Sequence, residues 1–161
     1  MSIQTTIFDD LIASQNFTTH RELAGIRFAL TIHQPWAWLI THGFMDVENR
    51  NWETHHRGFF FVHAGSRADG AAFEWVHSAF PDVFEKMPRR GSHEYLLGHI
   101  IGIANIYSCI PHSGKLSDWH FGRFGFYLSH QKPITPIKCK GRLGFFQPDI
   151  HNINKIEGYQ L

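Results

Sequence analysis

The stretch Gly43-Phe44-Met45-Asp46-Val47-Glu48-Asn49-Arg50-Asn51-Trp52 concentrates residue types that do chemistry. In an extended chain side chains alternate between faces, so Asp46, Glu48, Arg50 and Trp52 share one side. A strand face this polar makes poor core. Two turns, Gln34-Pro35-Trp36 and Gly122-Arg123-Phe124-Gly125, can set aromatic faces and backbone donors around it. Arg50 and Arg57 offer forked donors for phosphate or carbonyl oxygens. Trp36 and Trp52 offer stacking platforms for unpaired bases, each worth about 1–3 kcal/mol. Lys138, Lys140 and Arg142 supply a longer-range positive field. Together these residues point to single-stranded RNA as the ligand. The bland alternative is an exposed strand whose Glu48 and Arg50 form a surface pair of little energetic weight; Trp38 is read as core.

These residues sit in a chain of 161, with 43% hydrophobic and 18% charged residues. That suits one domain with a sizeable core and excludes a disordered chain. Lys+Arg 15 against Asp+Glu 14 leaves +1, so any electrostatic partner must meet a local patch. The excess is local: residues 111–161 carry 7 basic and 3 acidic side chains, and RNA phosphates are expected there. No long apolar stretch or charged leader with an apolar core is visible, so no membrane partner and a cytoplasmic location are expected. Cys109 and Cys139 cannot build a disulfide framework and lack the paired spacing of a cysteine zinc site. None of the 13 histidines pairs at the spacing that puts two ligands on one helical face. Their titration strengthens anion binding in mild acid.

The elements that must position the charged strand follow from pattern. Residues 1–25 read as an appendage with a short docked helix around Ile7, Phe8, Leu11 and Ile12. Arg27 to His33 alternates as a half-buried strand, with Phe28, Leu30 and Ile32 on its apolar side. Pro35 and Gly43 bracket a two-turn helix over Trp36 to His42. Val47 to Trp52 and Gly58 to Ala64 read as strands, Ser66 with Asp69 as a helix start, and residues 81–95 as a loop. Leu96 to Ile110, broken by Gly98 and Gly102, suits a bent strand, and Arg123 to His130 and Arg142 to Gln147 complete the set. The expected architecture is α+β: a small mixed β-barrel with flanking helices over residues 26–150, followed by a tail over 151–161.

Leu30 to Pro35 (LTIHQP), Trp36-Ala37, Gly43 to Arg50 (GFMDVENR), Trp52, His56-Arg57-Gly58, His63-Ala64, Gly122 to Leu128 (GRFGFYL) and Cys139 to Gly144 (CKGRLG) resemble, in order and spacing, the ASCH domain of the PUA-like superfamily. The resemblance spans about residues 28–148. It implies a β-barrel with a cleft between its first helix and the barrel, and a role in binding RNA or modified nucleosides. The family signature G-x-K-x-x-E-x-R is matched by Gly43, Glu48 and Arg50, with Met45 at the lysine position. Some relatives deacetylate N4-acetylcytidine with a lysine, a threonine and a glutamate; here the lysine position is Met45 and the threonine position falls on Glu48. A thioether is neither a base nor a cationic donor, so that amidohydrolase mechanism does not transfer unless Lys115 or Lys140 reaches the cleft. Other relatives are nucleases. In that alternative Glu48 binds magnesium or manganese or orients water, Asp46 or Asp118 gives a second oxygen, and His63 serves as acid or base. Outside it no cofactor is expected. A non-catalytic nucleoside-sensing module is the remaining alternative, and a monomer is favoured over an oligomer.

Overall fold

The computed structural model describes Leu23 and residues 25–150. The helix expected near residues 7–12 and the tail after residue 150 lie outside them. The described chain runs β1 (Ala29–Gln34), α1 (Trp36–Thr41), β2 (Val47–Arg50), β3 (Gly58–Ala68), α2 (Gly70–Ala79), α3 (Pro81–Phe84), β4 (His99–Pro111), a 3-10 turn (His112–Gly114), β5 (Phe124–Lys138) and β6 (Phe145–Phe146). Six strands form one mixed sheet in the order β2-β5-β4-β3-β1-β6. β1 and β3 are parallel, and every other pair is antiparallel.

The α+β architecture is as expected, but the backbone ladder does not close into a barrel. β2 and β6 remain its two ends, because β6 is two residues long and covers only Ala29 and Leu30 of β1. Side chains span what the ladder leaves open. Arg50 Nη2 of β2 donates to the Thr31 carbonyl of β1 at 2.6 Å, and Trp52, just beyond β2, meets Phe145 of β6 edge to face at 5.9 Å.

Two apolar clusters lie on the two faces of β1 and β3. Leu30, Ile32, Phe60 and Val62 pack with Leu39 and Ile40 of α1, while Ala29, Phe61, Ile100 and Ile103 pack with Leu23. β1 is therefore not half-buried in the simple sense its alternation suggested. Ala29, on the nominally outer side, is fully buried, and Phe28, on the apolar side, is 38% exposed.

Other boundaries moved for identifiable reasons. Ser66 does not start a helix, because β3 continues to Ala68, which pairs with Gln34. Asp69 is the cap instead, its Oδ1 accepting the Ala71 amide at 3.2 Å. A short helix, α3, interrupts the expected loop where Pro81 sets its first turn. β5 runs past His130 to Lys138 because Lys132, Pro133, Ile137 and Lys138 keep pairing with β4. The expected bend in β4 falls at Gly102, where the register shifts. A Cβ there would sit 2.5 Å from the Lys132 carbonyl oxygen, so only glycine allows the approach.

Candidate functional site

α1 is aimed by its first residues. Gln34 is fully buried; its Oε1 accepts the Trp38 amide at 2.9 Å and its Nε2 donates to the Leu96 carbonyl at 3.0 Å. This side chain, proposed from sequence as a ligand contact, thus satisfies backbone groups at the helix start. It leaves Trp36 at the helix mouth, where the indole N–H donates to Asp69 Oδ2 at 3.1 Å. At the other end Gly43 adopts φ +77°, a left-handed conformation that costs glycine little. The Phe44 and Met45 amides then both donate to the Leu39 carbonyl, at 2.9 and 3.1 Å. Met45 enters β2 with its thioether buried.

From there period-two alternation sends Glu48 and Arg50 inward, and the two meet with Nε donating to Oε1 at 2.8 Å. With Thr31, Ile32, His33, Trp36, Met45, Asn49 and Phe121 they line a cavity of about 200 Å³. Glu48 is 5% exposed. Burial pushes its carboxyl above the usual carboxylate range, a rise that the Arg50 guanidinium and, to a smaller extent, His33 oppose without cancelling. The pair is therefore a partly desolvated acid and a guanidinium with donors to spare, beside two aromatic rings. It can both donate and accept toward a planar polar ligand.

The sequence reading missed Phe121 and Asn49. Asn49 Nδ2 donates to the Trp119 carbonyl at 2.8 Å, and its Oδ1 accepts the amides of Phe121 and Gly122 at 2.9 and 2.8 Å. That clamp fixes the loop and sets the Phe121 ring 5.5 Å from Trp36 and 4.8 Å from Trp75. Phe121 is 45% exposed. The signal was the Gly122 turn: the ring before it faces the cavity, whereas Phe124, the ring chosen after it, starts β5 opposite Arg50 and lies beneath the Arg123 guanidinium.

The remaining candidates separate from this cavity. Asp46 is exposed and accepts the Ser117 hydroxyl at 2.6 Å. Asp118 is exposed on the loop before Trp119 and lines no cavity described here. Trp52 is half-buried, with its ring 5.1 Å from Phe126 as well as against Phe145, so it packs the seam between β2 and β6. Arg57 bonds the Thr54 and His56 carbonyls and lines a separate depression with Phe28 and Gly58. The four residues Asp46, Glu48, Arg50 and Trp52 thus do not share one exposed face: β2 ends at Arg50, and only Glu48 and Arg50 point into the cavity.

His63, Lys140 and Arg142 belong together, but elsewhere. They line a cleft of about 910 Å³ that also contacts Thr31 and His33. His63 is buried, with Nε2 at 2.7 Å from the Cys139 carbonyl and Nδ1 at 3.1 Å from the Thr31 hydroxyl. A carbonyl only accepts, so Nε2 carries the proton and Nδ1 accepts from Thr31. Burial pushes the imidazole below its usual range, against the pull of the Cys139 carbonyl and with help from nearby His99. Among the described residues no group of three or more His, Cys, Asp or Glu could hold a metal ion.

No family model matches the chain, and no curated protein matches it. Among solved structures, a serine-to-alanine mutant of ZmASCH from Zymomonas mobilis is similar, with 14% sequence identity over 69% of this chain and 72% of that one and a TM-score of 0.41.

Proposed function

We propose that the cavity between β1 and β2 holds one unpaired nucleobase, presented by single-stranded RNA or by a modified nucleoside. The observation that carries this reading is the pair of buried Glu48 and half-buried Arg50 opening on the same cavity as the Trp36 and Phe121 rings. At about 200 Å³ the cavity is below the roughly 300–1,000 Å³ of drug-sized sites, which favours a base over a larger ligand. Aromatic faces grip a base without regard to sequence. The acid then accepts from its polar edge and the guanidinium donates to it.

Two observations favour binding over hydrolysis. Met45 forms the wall where a lysine would be needed for amide cleavage, and a thioether offers no base. Glu48 is engaged by Arg50, while Asp46 and Asp118 face away, so a nuclease would have to work with a single carboxylate.

Thermal shift with the four ribonucleosides and N4-acetylcytidine, and anisotropy with a labelled single-stranded RNA, test the reading. A bound nucleoside at a hundred times its Kd raises stability by about 2.7 kcal/mol. Trp36→Ala is expected to weaken binding by about tenfold or more, from the loss of stacking. N4-acetylcytidine is expected to be recovered intact, as is RNA incubated with magnesium or manganese. Absence of any shift and of any RNA binding, or affinities indifferent to both Trp36→Ala and Glu48→Gln, would refute base binding.

A further inference from the structure

The larger cleft lies across β1 from the base cavity. Ile32 faces the cavity, whereas the side chains of Thr31 and His63 turn the other way; residues Thr31 and His33 line both spaces. β6 stops at Leu30, so β1 has an open edge where the two spaces adjoin. Arg67, Lys138, Lys140 and Arg142 line the cleft against one acid, Asp149. That is a local net of +3 on a chain whose total is +1, so the cleft carries a positive patch.

The segment that carries these cations is held in place. The His63 imidazole donates to the Cys139 carbonyl at 2.7 Å, and the Cys139 amide donates to the Gly98 carbonyl at 3.1 Å. Gly141 rests against His63 and Thr31 so closely that a Cβ would come within 2.7 and 2.8 Å of them. Opposite, the His33 ring donates from Nδ1 to the Arg67 carbonyl at 3.1 Å, tying the end of β3 to β1. Lys140 and Arg142 on one side, and Arg67 on the other, are thus set across a floor of Thr31 and His63.

We propose that this cleft binds the phosphodiester backbone of the same single strand whose base enters the smaller cavity, the chain crossing the open edge of β1 at Thr31 and His33. The proposal rests on the base-binding reading and extends it from a nucleoside to a strand. A cleft of about 910 Å³ is near the upper end of ligand sites, which suits consecutive nucleotides better than one phosphate.

The test uses a fluorescein-labelled ten-nucleotide RNA of mixed sequence, the four ribonucleosides and their 5′-monophosphates. The proteins are the parent, Lys140→Glu/Arg142→Glu, Arg67→Glu/Lys138→Glu and Trp36→Ala. All four basic residues are exposed, and thermal midpoints verify that the variants fold. Each double variant is expected to weaken the ten-mer by at least about tenfold and to flatten the salt dependence by about 1.4 in log–log slope, at about 0.7 per phosphate contact. The shift given by ribonucleosides is expected to stay unchanged. Ten-mer affinities within threefold of the parent for both double variants would overturn the proposal and leave base binding untouched. Monophosphates binding as tightly as the ten-mer would overturn it in favour of a free nucleotide. Ten-mer binding lost in the double variants but unaffected by Trp36→Ala, with no nucleoside shift, would instead overturn base binding and with it the shared strand.

Discussion

Gly141→Ala is the sharpest perturbation, because the space at that position is defined on two sides. The added Cβ would stand 2.7 Å from His63 Cε1, 2.8 Å from Thr31 Oγ1 and 3.0 Å from His63 Nδ1. Ordinary contact begins near 3.4 Å, so the neighbours must retreat by roughly half an ångström or more. His63 cannot simply swing away, since both ring nitrogens are engaged. Overpacking of this kind costs about 1–3 kcal/mol, and surrendering the His63–Cys139 bond adds about 1 kcal/mol. The expected loss is about 2–4 kcal/mol in urea denaturation, seen as a lower midpoint with an unchanged slope. Gly144→Ala is the control. It has φ +65° and open space around it, so its cost is conformational alone, about 1 kcal/mol. Because Lys140 and Arg142 flank Gly141, its alanine variant should also weaken RNA binding, whereas the Gly144 variant should not. A Gly141→Ala loss under about 0.5 kcal/mol, within ordinary surface scatter, would refute the view that this segment is tightly seated.

Gln34→Ala strands the buried Trp38 amide and Leu96 carbonyl and is expected to cost about 2–4 kcal/mol; a loss below 1 kcal/mol by calorimetry would contradict its role at the helix start. Asn49→Ala releases the clamp on the Phe121 loop, so nucleoside affinity should fall about tenfold or more although Asn49 itself need not touch the base; unchanged calorimetric titrations would count against Phe121 as a platform. His63 and His120 are both buried, and burial is the leading cause that lowers each imidazole, with His112 adding to it at His120. Groups lowered in the folded state contribute stability that is present above their unfolded pKa near 6.5 and is lost as pH falls below it. The thermal midpoint should therefore drop between pH 7.5 and 5.5, and a flat or rising profile would be inconsistent with neutral buried histidines. Glu48 has the opposite sign: its raised carboxyl costs stability as pH climbs above the ordinary carboxylate value of 4.5. Glu48→Gln should gain on the parent from pH 4.5 to 7, and a constant difference in chemical denaturation across that range would argue against a strained carboxylate.

Local pattern carried much of this molecule. Pro35 and Gly43 delimit α1, and alternation around Glu48 and Arg50 foretells that both reach the same side. The indole of Trp36 joins them because the helix starts immediately after β1. Pattern failed where long-range pairing decides. β2 is one end of the ladder and β1 lies four places along it, next to the other end, so nothing in the spacing reveals that Thr31 and His33 share a cavity with Arg50. His63 and Lys140 meet across a different face from Glu48, a consequence of the parallel pairing of β1 with β3. Trp52 and Arg57 had the right chemistry on the wrong side of a strand end, and Asn49, which the sequence reading did not single out, clamps the loop that presents Phe121. Gln34 shows the converse: an amide beside a candidate site can be spent entirely on backbone groups.

The unclosed ladder gives the cavity a doorway. β2 hydrogen-bonds to β5 alone within the sheet, and across the gap toward β1 it is held by the Arg50 guanidinium on the Thr31 carbonyl. A bond to a charged donor is worth about 1.5–3 kcal/mol, so this latch can lift in roughly one molecule in 10 to one in 150 at any instant without unzipping a strand. Arg50 would then both guard the threshold and greet the guest, and its loss should hasten entry and exit while loosening the grip.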